Sequence, residues 1–387
     1  MAEQALVDPA QLKPRHLGGT HIKGVRPAAK GAGTAPRLAV SLQQLHLQPL
    51  GGEQGRSGEA GDAAPHHRHI TTAQHPGMLA AHASGSAMQQ QVMARWLAEQ
   101  GLELAAMQPV GGGCIHRAWR LELSDGSQRF AKTNHAALLP VLEAEADGLA
   151  ALSAAVRLDP TAAPLPTIPK PLALAELEGE AVLLLSWLEL GAGSQQGWRE
   201  LGQGLARLHR ASLGSGDGRF GWHQSNYIGS GPQHNGWHRS WAAFFSDQRL
   251  GVQLELAAAG GRALPKAKAL LEQVPHWLAE HEPEACLVHG DLWSGNAGLL
   301  IGGGCALFDP AVSRADREVD LAMARLFGGF PAAFFEGYER EWPLPAGHRQ
   351  RVQLYNLYHL LNHANLFGGG YWQQSAASIE ALLRHWS

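Results

Sequence analysis

The hydrophobic pattern of the chain changes character near residue 89. Before it, short apolar pieces such as Leu38–Val40 recur with no sustained period. From Gln89 to residue 100 apolar positions follow a helical period and predict an amphipathic helix. Residues 108–133 then read as strand, glycine turn, strand, turn, strand. Leu138, Leu139, Leu142, Leu149 and Leu152 fall at near-helical spacing and predict a helix over 138–153. A Pro-rich connection covers 158–171, and Leu172–Leu177 with Ala181–Leu188 predict a hairpin around Glu178-Gly179-Glu180. After Gly191–Gly193 helical patterns run to the C-terminus, interrupted by one short hairpin at 297–308. The expected fold is therefore α+β and two-lobed. A flexible extension, 1–88, precedes a small β-rich lobe, 89–190, and a larger, mostly helical lobe, 191–387.

Composition sharpens the first boundary. All 27 aromatic residues of the 387-residue chain (12 Trp, 10 Phe, 5 Tyr) lie at or beyond Trp96. A segment without them cannot bury enough surface to offset its chain entropy. Its cluster His66, His67 and His69 is read as a solvated polar tract rather than a metal site, and Met88 or Met93 could begin the folded unit.

Charge excludes some classes of partner. The whole chain has net charge −3, and residues 91–387 carry 23 basic and 29 acidic side chains. That is no footprint for nucleic acid. No apolar run approaches membrane-spanning length, and the first ten residues do not read as a secretory signal. The three cysteines, Cys114, Cys286 and Cys305, form no C-x-x-C pair and fit a reducing cytoplasm.

The chemistry concentrates in His289-Gly290-Asp291-Leu292-Trp293-Ser294-Gly295-Asn296. An Asp followed five positions later by an Asn matches a kinase catalytic loop, in which the Asp takes a proton from the attacking hydroxyl and the Asn holds Mg²⁺. Thirteen residues on, Phe308-Asp309-Pro310 follows the predicted hairpin, which would return Asp309 beside Asn296. Oxygen ligands at both positions suit Mg²⁺. His289 is expected to orient the loop, and Asp320 to cap or brace it.

The small lobe holds matching parts. Gly111, Gly112, Gly113 and Cys114 lie between two predicted strands, where glycines let backbone N–H groups approach phosphate oxygens. Lys132 ends the third strand and would reach the α/β-phosphates. Glu143 or Glu145 on the next helix could pair with it. The exit of the last strand, Ser186 to Leu188, is the expected hinge, where adenine would meet backbone groups.

Taken together, these segments resemble the fructosamine kinase, or ketosamine-3-kinase, family, a branch of the protein-kinase-like superfamily near the aminoglycoside phosphotransferases. The resemblance runs from about Trp96 to the C-terminus. It rests on HGDLWSGN at 289–296, GGGCI at 111–115, EAD at 145–147, FDP at 308–310 and DREVDLAM at 316–323. Three further segments look like its substrate lobe, at 220–229, 241–250 and 354–370. The resemblance selects Glu145 as the partner of Lys132.

It implies an ATP- and Mg²⁺-dependent kinase that phosphorylates the 3-hydroxyl of ketoamines formed on small amines, lysine or proteins, after which the unstable phosphate frees the amine. Ribulosamine, erythrulosamine and fructosamine adducts are the implied substrates. Trp293, Asn226, His363 and Asn365 are candidate substrate liners. Cys114 could carry redox control by linking two chains. A kinase of the aminoglycoside or choline type is the alternative, and a pseudokinase scaffold a further one. Monomer and homodimer remain equally open.

Overall fold

Five consecutive apolar residues, Ala181–Leu185, are all buried, as an apolar run without alternation requires when both faces of a strand are covered. The structure, a computed structural model, describes residues 89–111, 115–161 and 163–386, which lie within one unit spanning Ser84–Ser387. The expected extension over 1–88, with His66, His67 and His69, lies outside the described residues.

A helix over 89–98 (α1) leads into β1 (Leu104–Val110), β2 (Arg117–Leu123) and β3 (Gln128–His135). Helix α2 (Leu139–Leu158) follows, then β4 (Pro171–Leu177) and β5 (Glu180–Ser186). The five strands form one antiparallel sheet in the order β1-β2-β3-β5-β4. Because side chains alternate across a strand, Val182 and Leu184 join Met93 and Leu97 of α1, whereas Ala181, Leu183 and Leu185 join Leu142 and Leu149 of α2. Lys132 pairs with Leu183 and Ala131 with Leu184, so parity turns Lys132 toward α2.

Beyond the sheet, helices dominate: α3 (Gln195–Ser212), α4 (Trp241–Phe244), α5 (Val252–Ala259), α6 (Ala267–Trp277), α7 (Glu318–Leu326), α8 (Ala332–Glu341), α9 (His348–Phe367) and α10 (Tyr371–His385). A π-helical segment, Phe245–Gly251, joins α4 to α5. Trp241, Phe244, Phe245 and Tyr355 centre the largest apolar cluster here. The indole of Trp241 donates to the Tyr355 hydroxyl at 2.9 Å, which donates to Asp316 at 2.7 Å.

The expected hairpin at 297–308 is present as β10 (Ala297–Leu300) and β11 (Cys305–Leu307). It is not the only strand pairing in this half, contrary to expectation. β6 (Leu190–Gly191) pairs with β10, β7 (Asn226–Ile228) with β8 (Gly231–Gln233), and β9 (Cys286–Val288) with β12 (Ser313–Ala315). Strands of two or three residues are too short for a period of two to register, and their pairing is set by tertiary neighbours. No described helix is long and apolar enough to cross a membrane.

Candidate active site

The β10–β11 hairpin explains how Asp309 reaches the loop of Asp291 and Asn296. Ala297 pairs with Leu307, and the Phe308 N–H donates to the Asn296 carbonyl at 3.0 Å. The Asn296 side-chain amide then donates to the Asp291 carbonyl at 2.9 Å, to Asp291 Oδ2 at 3.2 Å and to the Asp309 carbonyl at 3.4 Å. One amide nitrogen thus ties both loops together. Asp309 has φ +58, a left-handed backbone that non-glycine residues rarely hold unless surrounding contacts impose it.

Lys132 completes the cluster from the sheet. It bonds Glu145 Oε1 at 2.8 Å and forms an ion pair with Asp309. The Lys132 and Glu145 side chains are 8% and 9% exposed, whereas that of Asp309 is 41% exposed. Glu145 belongs to the buried stripe Leu142, Glu145, Leu149 and Leu152 of α2, and Glu143 is exposed. Helical spacing therefore decides between the two acids.

The two aspartates titrate in opposite directions. Burial lifts the Asp291 carboxyl to about 7; the negative charge of Asp309 adds to this, and the Asn296 amide opposes it only partly. Burial pushes Asp309 the same way, but the Lys132 ammonium outweighs it and holds that carboxyl below its ordinary range. Burial alone would lower the Lys132 ammonium, yet Asp309 and Glu145 together hold it above its ordinary value. Glu145, the more enclosed of the two acids, is raised to about 7 by burial against the pull of Lys132.

The loop beneath Asp291 is fixed from behind. Asp320, fully buried within α7, accepts the His289 N–H at 2.7 Å and the Gly290 N–H at 2.8 Å. It therefore braces the loop from inside its helix rather than capping it. His209 of α3 holds Asp320 at 3.1 Å and Tyr338 at 2.9 Å. Burial would raise the Asp320 carboxyl, but His209 and the loop N–H groups keep it below its usual range. Burial chiefly holds the His289 imidazole below its ordinary value, and the ring contacts the Phe308 carbonyl at 2.9 Å. Gly290 has φ +82, and a Cβ there would lie 2.0 Å from the Ala311 carbonyl, so the turn accepts glycine alone.

The other predicted residues are placed less uniformly. Gly111 is exposed at the end of β1, whereas Gly112, Gly113 and Cys114 lie outside the described residues. Ser186 exchanges bonds with Lys170, its hydroxyl accepting at 2.9 Å and its N–H donating at 3.0 Å, and Leu188 is half-buried. The Trp293 ring lies against Gly295, where a Cβ would come within 2.2 Å of it. His363 sits among Phe327, Phe367 and Tyr371, with ring centroids 4.8, 5.5 and 5.1 Å away.

Asn226 does not join these groups. It is 4% exposed, donates to the Val312 carbonyl at 2.8 Å and accepts from Gln233 and Asn235, bracing the backbone behind Asp309. Asn365 is likewise committed, donating to the Gln253 carbonyl at 2.9 Å and to its side chain at 2.7 Å.

Sequence reasoning missed His116. Burial, then the charge of Lys132, lower it to about 4, which leaves a neutral imidazole 3.0 Å from Asn134 beside the glycine segment. Its position directly after GGGCI was the available signal. His209 gave none, because its partner Asp320 is 111 residues away.

Comparison with known proteins follows the same lines. The fructosamine kinase family model matches residues 87–385. A "Probable ketoamine kinase" of Synechocystis is 43% identical over 286 residues, 74% of this chain and 92% of its own. One from Escherichia coli K12 is 38% identical over 295 residues, 76% of this chain and 99% of its own. Among solved structures, a protein assigned as a fructosamine-3-kinase from Haemophilus somnus superposes with TM-score 0.67 at 26% identity, covering 75% of this chain and 96% of that one. Another, from Thermobifida fusca, gives 0.62 at 29%, covering 75% and 98%. An aminoglycoside phosphotransferase in complex with AMP-PNP and hygromycin B shares the protein-kinase-like fold, at TM-score 0.50 and 20% identity over 75% of this chain and 97% of that one.

Proposed function

The chain belongs to the fructosamine kinase family, phosphotransferases that act on a hydroxyl of ketoamines, and from that premise we propose that it transfers the γ-phosphoryl group of ATP to the 3-hydroxyl of lysine-borne ketoamines. The single observation that carries this reading is the Asn296 amide bound to both Asp291 and the Asp309 backbone, with Lys132 beside them. Phosphoryl transfer asks a protein for positioning and charge neutralisation, and these groups supply both.

Asp291 is the base. A sugar hydroxyl is a weak nucleophile at neutral pH, and a carboxylate that orients it and takes its proton is worth ~10²–10⁴-fold in rate. The hydroxyl oxygen forms the new P–O bond, its proton passes to Asp291, and the bond from the γ-phosphorus to the β–γ bridging oxygen breaks. The electron pair leaves with ADP. Lys132 neutralises the α- and β-phosphates, and Glu145 keeps its ammonium aimed. Gly111, Gly112, Gly113 and Cys114 offer backbone N–H groups to the phosphates, and the backbone at Ser186 and Leu188 receives adenine.

The donor chemistry fits Mg²⁺. Asp309 offers a partly exposed carboxylate, and Asn296, whose nitrogen is committed to Asp291 and Asp309, has its amide oxygen left for a hard cation. When bound, Mg²⁺ would neutralise phosphate charge during transfer.

A ketoamine is cationic at neutral pH, which suits aromatic surfaces such as Trp293 and the cluster around His363. Burial holds the His363 imidazole below its ordinary value, so it does not repel a cation. The 3-phosphate of a ketoamine decomposes and frees the amine, which makes deglycation the outcome.

The test is a substrate panel. Ribuloselysine, fructoselysine, choline and kanamycin are each offered with ATP and Mg²⁺ while ADP release is followed. Turnover on the two ketoamines, with phosphate on the 3-oxygen, is the expected result. Turnover on kanamycin or choline alone would assign another acceptor, and nucleotide binding without turnover on any would make the protein a scaffold.

A further inference from the structure

The helix that carries Glu145 is fastened to the part of the chain that carries Asp309. The Trp222 indole donates to Asp147 Oδ2 at 2.8 Å, and His223 Nε2 stands 3.5 Å from Asp147 Oδ1. One residue on, a Cβ at Gly148 would lie 3.1 Å from Pro310 Cγ and 3.4 Å from Val312, so α2 touches the residue directly after Asp309. The clamp is itself anchored. Gly221 exchanges backbone hydrogen bonds with Arg314 of β12 at 3.0 and 2.8 Å, and the Trp222 N–H donates to the Asn235 carbonyl at 3.0 Å. The Trp222 ring packs on a cluster holding Leu152, Ala155 and Val312.

Position on the helix gives this contact its meaning. Residues two apart on a helix point to different sides, so Glu145 is held from the sheet and Asp147 from the opposite part of the molecule. The apolar contacts of Leu142 and Leu149 resist separation from the sheet, but burial is non-directional and permits small rolls and slides. A hydrogen bond to a charged acceptor is directional and fixes the roll.

We propose that Trp222 and Asp147 are positioning residues that lock the Glu145 helix, so that the Lys132–Glu145–Asp309 cluster stands assembled before nucleotide arrives. The inference rests on the reading that this cluster serves ATP.

The experiment compares wild type with Trp222→Phe, which keeps a ring and loses the N–H, with Asp147→Ala, and with the double variant. Titration calorimetry with AMP-PNP and Mg²⁺ reads nucleotide affinity, steady-state kinetics on ribuloselysine read kcat and KM, and hydrogen exchange reads the amides of residues 141–152. The expected result is affinity and kcat each down about tenfold in Trp222→Phe, with the ketoamine KM within twofold. Exchange over 141–152 should be faster, and the double variant no worse than the Asp147→Ala single. Wild-type affinity and kcat in Trp222→Phe, with only the melting temperature lowered, would reduce the contact to a structural one and overturn the proposal. So would fully additive losses in the double variant. Failure of the wild type to bind AMP-PNP would instead remove the ATP reading, and this inference with it.

Discussion

Asp291 and Asp309 lie on either side of a single amide, that of Asn296, yet their surroundings drive their carboxyls apart. On one side Asp309 has an ammonium partner in Lys132, which holds its carboxyl below the ordinary range. On the other, the Asp291 carboxylate is bonded by the Asn296 amide, and burial lifts it to about 7. On the proposed reading, identical side chains thereby serve as an anion suited to a cation and as a base poised near neutral pH. Pairs of acids pushed apart in this way mark the division of labour in an active site.

The most damaging change should be Asp291→Asn, which removes the base and keeps the shape. We expect kcat to fall ~10³-fold, within the range for loss of a positioned base, as read by ADP release. Near-normal turnover would make the two aspartates functionally alike. Lys132→Met attacks the other side. It strands Glu145 without its cation, and loss of one partner from a buried pair costs roughly 3 kcal/mol. Urea unfolding should show this loss, and an unchanged midpoint would mean that Glu145 simply takes up a proton.

A third check is pH. Asp291 must be ionised to accept a proton, and its pKa is raised to about 7. Hence kcat/KM should fall about tenfold per unit as pH drops below 7 and level off above it. A flat profile between pH 5 and 8 would place the base elsewhere. The smallest effect is expected at Asn226. Its amide braces the backbone behind Asp309, so Asn226→Ala should lower stability by about 1–2 kcal/mol while the ketoamine KM moves less than twofold. A large KM change would return Asn226 to the substrate surface.

How much the sequence disclosed follows the same divide between local and distant partners. Asp291 and Asn296 share one loop, and Asp309 follows from a hairpin whose glycine turn is visible in the sequence. Lys132 was legible at the end of a predicted strand and Glu145 through the family resemblance, while strand parity and the buried stripe of α2 became visible only in the structure. Asp320 was expected to cap or brace its loop, but the pairings behind the braces were illegible because their halves are far apart: 75 residues for Asp147 and Trp222, and 111 for His209 and Asp320. The backbone and side-chain bonds of Asn226 were hidden for a related reason. Whether a polar side chain meets substrate or backbone depends on neighbours such as Gln233 and Asn235, which only folding brings together. The short strands β6, β7, β8, β9 and β12 went unread because they carry no period of their own.

The division between the two aspartates is tested most directly by calorimetric titration of AMP-PNP and Mg²⁺ into Asp291→Asn and Asp309→Asn side by side. Asp291→Asn should bind within twofold of wild type, and Asp309→Asn at least tenfold more weakly. Equal losses in both variants, or a loss confined to Asp291→Asn, would contradict the assignment.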